Sequence, residues 1–208
     1  MFKVFFLIFD PGATWEKIAK KNRGWFFILL TYLLPMVILV TAAEGWSIHK
    51  FGKWQPEYDR YKPFSDPEIK AFEVAQAVGL LTMVFLSALL LHVAGNTFHA
   101  KRDYRKAFAV VAYGFSPLLL VKLLDAAPLM NQWGSWALGI GLVIWILYQG
   151  VPRVLQPDPT HTFGIYLTAI IIMMMTSGVA RALAWMFLQG KVDNRHSWFI
   201  QWLAHFFQ

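Results

Sequence analysis

Cysteine is absent from this chain and charge is scarce: of 208 residues none is Cys and only 15% are Asp, Glu, Lys or Arg. Without thiols there can be no disulfide, no thiolate metal site and no cysteine nucleophile. The sequence also lacks a Gly-x-Ser-x-Gly elbow, a phosphate-cradling glycine loop, a His-Glu-x-x-His zinc signature and a pair of aspartates embedded in an apolar run. Each absence removes a class of enzyme. No catalytic residue, metal or cofactor is assigned, and a non-enzymatic protein is expected.

What the chain has in excess is apolar surface. At 57% hydrophobic and 17% aromatic it exceeds a soluble domain, where apolar residues make up about half and charged ones about a quarter. Five apolar runs, at about 25–43, 72–98, 107–124, 133–151 and 163–188, have or approach the length of about 17 to 25 residues that crosses a bilayer as a helix. They show no period-two alternation, so a barrel is excluded and each run must satisfy its backbone as a helix. The expected fold is an all-α polytopic membrane bundle: five transmembrane helices, one membrane domain over 1–208, a loop at 44–70 and an amphipathic tail at 191–208.

The opening segment resembles a signal peptide, but its apolar run is short, Asp10-Pro11 ends it, and no small-residue cleavage site follows at the right distance. It is therefore expected to be retained. Asp10 can cap a helix with Pro11 in its first turn, and Trp15, Ile18 and Ala19 then share one face. This predicts an N-terminal interfacial helix over 11–22, lying in the headgroup layer.

Lys17, Lys20, Lys21 and Arg23 precede the first span, and Lys101, Arg102, Arg105 and Lys106 crowd the loop after the second. The positive-inside rule places both groups in the cytoplasm, against anionic lipid headgroups. Five spans then put the C-terminus outside, together with the 44–70 loop. Because the basic residues flank spans directly, membrane lipid rather than nucleic acid accounts for the net charge of +7. In the 44–70 loop Trp54, Tyr58 and Tyr61 would share one face of a short helix on the outer leaflet, or form a docking patch. Asp66 and Pro67 read as the start of the second long helix.

Tyr113, Gly114 and Pro117 interrupt the third span, and the proline frees a carbonyl that a neighbouring helix or Ser116 must satisfy. A kink with Tyr113 turned inward is predicted. Small residues at four-residue spacing, in Ala71, Ala75 and Gly79, in Ala137 and Gly141, and in Gly178 and Ala182, predict close packing within the bundle, with a homodimer seam as the alternative. Polar groups within spans are the default place to look for function. Those here are His92 and Asn96 on one stripe of the second helix, and Asp125 and Arg181 near the outer boundary. His92 and Asn96 are expected to bond to a neighbouring helix. Asp125 and Arg181 are expected to pair, with Lys122 as the competing partner of Asp125 and snorkelling to the interface as the alternative for Arg181.

The Pro11–Ile18 segment with its aromatic Trp15, the run Ala112-Tyr113-Gly114-Phe115-Ser116-Pro117, the connection Val151-Pro152-Arg153 and the five-span spacing together resemble the Yip (Ypt-interacting protein) family of membrane proteins over about residues 8–190. Its eukaryotic members carry a long cytosolic N-terminal domain and an Asp-Leu-Tyr-Gly-Pro element that this sequence does not show, so their Rab-type GTPase contacts are not carried over. The resemblance implies a prokaryotic inner-membrane protein that assists or scaffolds a membrane complex or shapes the bilayer, with a membrane-protein partner or a second copy. The competing class is a small transporter or lipid-moving protein using His92, Asn96, Asp125 and Arg181. No inverted repeat supports it.

Overall fold

The computed structural model describes residues 3–55, 60–62, 64–98, 103–126 and 131–188. His99, Lys101, Arg102, Tyr58 and the 191–208 tail lie outside these residues. Five helices are long and apolar enough to cross a membrane: Trp25–Phe51, Asp66–Thr97, Tyr104–Ala126, Trp133–Leu155 and Pro159–Ala184, here spans 1 to 5. Large apolar side chains such as Leu89, Val93, Trp145, Met175 and Leu183 are exposed on the outside of the bundle, as expected where lipid is the solvent. Span 3 is the central helix, with 78% of its most apolar stretch buried against 22–50% in the others.

Span 1 extends eight residues beyond the predicted end at Ala43, so Glu44 belongs to a helix and not to a loop. It includes a π-helical turn at Leu29–Leu33 that ends two residues before Pro35, whose missing N–H disturbs the regular ladder there. Beyond Phe51 the predicted surface helix does not form. Instead β1 (Lys53–Gln55) pairs antiparallel with β2 (Arg60–Lys62), Trp54 opposite Tyr61. Span 2 begins one residue earlier than predicted: Ser65 is the cap, and its N–H and hydroxyl both donate to the Glu68 carboxylate at 2.8 Å. At 32 residues the helix is about 48 Å long, well beyond the roughly 30 Å hydrocarbon core.

Span 3 breaks at Phe115, between helices Tyr104–Gly114 and Ser116–Lys122, and tightens into a 3₁₀ turn at Leu123–Ala126. Pro117 cannot donate to the Tyr113 carbonyl, and the Ser116 hydroxyl donates to it instead. Tyr113 is buried between Tyr32 and the edge of Trp15. Span 4 continues through Val151-Pro152-Arg153 to Leu155, so this tripeptide is helical and not a connection.

Two short helices precede the spans, α1 (Lys3–Phe9) and α2 (Pro11–Lys21). Asp10 caps α2 through the Ala13 N–H at 3.2 Å. The apolar face of α2 packs against the bundle rather than against lipid. Trp15 is fully buried against span 4, where its indole N–H donates to the Ile146 carbonyl at 3.0 Å. Gly150 makes this possible, because a Cβ there would stand 2.4 Å from the Trp15 ring. Val4 and Leu7 join the same core, so both helices are built into the bundle. The small-residue stripes divide: Gly178 packs near Trp136, whereas Gly79 and Gly141 have open space beside them.

Candidate functional site

Buried charged groups in an apolar bundle are expensive, and here they are gathered at one end, the end that carries the β1–β2 pair. Asp125 is held at the C-terminal turn of span 3, where the 3₁₀ tightening turns it inward. Its Oδ2 lies 2.9 Å from Arg181 Nη2 on span 5 and 3.5 Å from Lys122 Nζ one turn earlier. Its Oδ1 accepts from the hydroxyl of Ser135 on span 4. Lys122 Nζ also lies 2.8 Å from Glu44 Oε2 on span 1, and that same oxygen accepts from Gln76 Nε2 on span 2 at 2.6 Å.

Each of the five spans thus supplies at least one side chain to a single network. It holds two carboxylates and two cations, so its formal charge balances. The side chains of Asp125, Glu44 and Arg181 are 1%, 3% and 7% exposed, and that of Lys122 is 12% exposed. In such surroundings each charge needs its partner, and removing one strands the others. Gly139 sets the approach of spans 3 and 4 beside this network, since a Cβ there would stand 3.1 Å from the Leu118 Cα. Ser135, one turn before Gly139 on span 4, is thereby brought to Asp125. Ser47, one turn after Glu44, donates to the Ala126 carbonyl and ties span 1 to the end of span 3.

Of the four sequence-predicted polar residues, the structure brings Asp125 and Arg181 together. Arg181 does not snorkel to the surface. Lys122 does not displace it either, but binds both Asp125 and Glu44. His92 and Asn96 lie elsewhere, since Gln76 and His92 are about 24 Å apart along span 2. Asn96 is exposed, and the His92 ring meets Tyr104 of span 3 edge-on at 5.9 Å. Among the described residues no three His, Asp or Glu side chains group as metal ligands. Sequence reasoning missed Glu44, Gln76 and Ser135. Glu44 carried a signal, because an acid directly after an apolar run needs a cation if the helix continues.

At the opposite end of the bundle Lys17, Lys21, Arg23, Arg105 and Lys106, all predicted to face headgroups, line one pocket with Arg153. Lys20 is exposed and stands outside it. Trp136 donates its indole N–H to the Ser177 hydroxyl on span 5 at 3.2 Å.

No curated protein and no solved structure matches the chain. A family model, the Yip1 domain, matches residues 5–193, which covers most of α1, all of α2 and all five spans. The five apolar helices and this match make the chain an integral membrane protein that belongs to the Yip1 domain family.

Proposed function

We propose that the protein is a non-enzymatic membrane scaffold that assists or organises another membrane complex, or shapes the bilayer around it. The observation that supports this reading most is the network of Glu44, Gln76, Lys122, Asp125, Ser135 and Arg181. Its charges are matched to one another, with one tie to every span. Such an arrangement fixes the relative positions of five helices and leaves the outer faces for contacts. The scaffold sits in a prokaryotic inner membrane with the α2 end in the cytoplasm, where its basic residues meet anionic lipid. Its partner is another membrane protein or a second copy.

The test is purification in mild detergent. A membrane-protein partner at fixed stoichiometry, recovered again when the two are co-expressed and purified in a second detergent, is the expected result. Solute or lipid flux through liposomes that contain the isolated protein alone would overturn the proposal.

One observation favours a second reading, lipid movement. A cavity of about 390 Å³ lies between spans 2, 3, 4 and 5, with Gln76, Lys122 and Arg181 at its polar end and walls of Leu80, Met83 and Leu118. Its lining on span 2 runs from Phe72 to Leu86, about 21 Å of helix rise, which exceeds the roughly 15 Å depth of one leaflet. An acyl chain could occupy it. Scrambling of a fluorescent phospholipid by the isolated protein distinguishes this reading from the first.

A further inference from the structure

The pocket at the α2 end has a volume of about 240 Å³ and is closed by α2 and by spans 1, 3 and 4. Its floor is apolar, formed by Ile18, Ile28, Ala109, Tyr113 and Val154. Its rim carries six cations, Lys17, Lys21, Arg23, Arg105, Lys106 and Arg153, against one carboxylate, Asp10. Asp10 already accepts the Ala13 N–H as the α2 cap. Glu16 stands 3.9 Å from Arg153 and offsets part of that one charge. Arg23 is held in place, with its guanidinium 4.5 Å over the Phe27 ring.

Six like charges drawn around one cavity repel each other, and the low-dielectric floor strengthens that repulsion. An anion bound in the cavity would relieve that repulsion. Arginines at its rim match the oxygens of a phosphate with paired N–H donors, and the lysines add point charges. We infer that this pocket is a phosphate-binding site, for a phosphate that belongs to an anionic phospholipid headgroup or to a soluble phosphate compound. It is a built site in one place, distinct from the general attraction of a basic surface for a membrane. The inference does not depend on which complex the protein assists.

The full-length protein is reconstituted in nanodiscs of phosphatidylcholine with a small fraction of phosphatidylglycerol. Native mass spectrometry then counts the phosphatidylglycerol retained as the lipid is stripped. Arg105→Gln and Lys21→Gln remove exposed rim charges that no described packing depends on, and Lys20→Gln and Lys50→Gln remove charges outside the pocket. Each rim variant is expected to lower retention about tenfold, the loss of one hydrogen bond to a charged group, and each control by less than about twofold. Titration with inorganic phosphate separates the two sources. Phosphate that displaces the lipid, or binds with the same dependence on the rim residues, assigns the site to soluble phosphate, while selective lipid retention without phosphate binding assigns it to the headgroup. Equal losses in rim and control variants would overturn the inference, as would the absence of both phosphatidylglycerol retention and phosphate binding. Thermal unfolding of each variant confirms that the fold is intact, and Arg105→Lys should restore part of the retention.

Discussion

Arg181 Nη2 lies 2.9 Å from Asp125 Oδ2, on side chains only 7% and 1% exposed. The two residues are 56 positions apart in the sequence, so the pair fixes span 5 against the central span near the end of the bundle. Attraction inside an apolar medium repays the desolvation of two charges only when the geometry is good and the remaining polar atoms are bonded. Asp125 meets that condition, since its second oxygen accepts from Ser135.

Replacing Arg181 with Leu should therefore strand a buried carboxylate and destabilise the bundle by about 3–5 kcal/mol. The Asp125→Leu, Arg181→Leu double variant should recover much of that loss, because it leaves Lys122 and Glu44 paired. Denaturant titration in detergent, read as a double-mutant cycle, measures the coupling. Additive losses would show that the two side chains do not interact.

Lys122 has a wider role, because it bridges Asp125 and Glu44. Lys122→Met should destabilise the protein by at least as much as Arg181→Leu, roughly 3–5 kcal/mol. Glu44→Gln in the same chain should restore stability, since the amide removes the stranded charge and can still meet Gln76. Rescue by Glu44→Gln and none by an acid-to-amide change at the opposite end of the bundle, Glu16→Gln, is the expected pattern.

The spans were readable in the sequence because hydropathy depends only on neighbouring residues. The network was partly readable. Asp125 and Arg181 each ended or interrupted an apolar run, so each demanded a partner. Glu44 does the same, but locally it reads as the start of a loop, because the cation that neutralises it lies 78 positions away, far outside any local window. Gln76 and Ser135 are ordinary helix residues whose role appears only when five helices converge. The burial of α2 was hidden for a similar reason. Its amphipathic face fits lipid and protein equally well, and the seat for Trp15 is a glycine at position 150. The β1–β2 pair left little trace in strands of three residues.

Gly150→Leu should expel Trp15 from its seat, since even a Cβ would stand 2.4, 2.7 and 2.8 Å from three indole atoms. Tryptophan fluorescence in a background where the other tryptophans are replaced should shift to the red, and cleavage by trypsin after Lys20 and Lys21 should become faster. Trp15→Phe puts a smaller phenyl ring in the buried seat and loses the bond to the Ile146 carbonyl, so its cost should exceed the roughly 1 kcal/mol of the hydrogen bond alone. Unchanged fluorescence in Gly150→Leu would mean that α2 is not held by this contact.

The proposed orientation makes its own demand. A reporter fused after Gln208 should behave as translocated, and one inserted after Arg102, before span 3 begins, as cytoplasmic. Cytoplasmic activity of the C-terminal fusion would require either an even number of crossings or, with five, an α2 end outside the cytoplasm.

The break in span 3 carries a prediction in which two substitutions should cancel. Pro117 has no N–H, so the Tyr113 carbonyl has lost its regular donor and accepts the Ser116 hydroxyl instead. Ser116→Ala alone should leave that buried carbonyl unsatisfied, at a cost of about 1–3 kcal/mol. In a Pro117→Ala background the restored backbone N–H can reach Tyr113, and adding Ser116→Ala should then cost little. The coupling arises because both residues serve one acceptor. A fully additive cycle would show that the serine serves some other purpose, and that the proline alone, through its ring, bends the helix at Phe115.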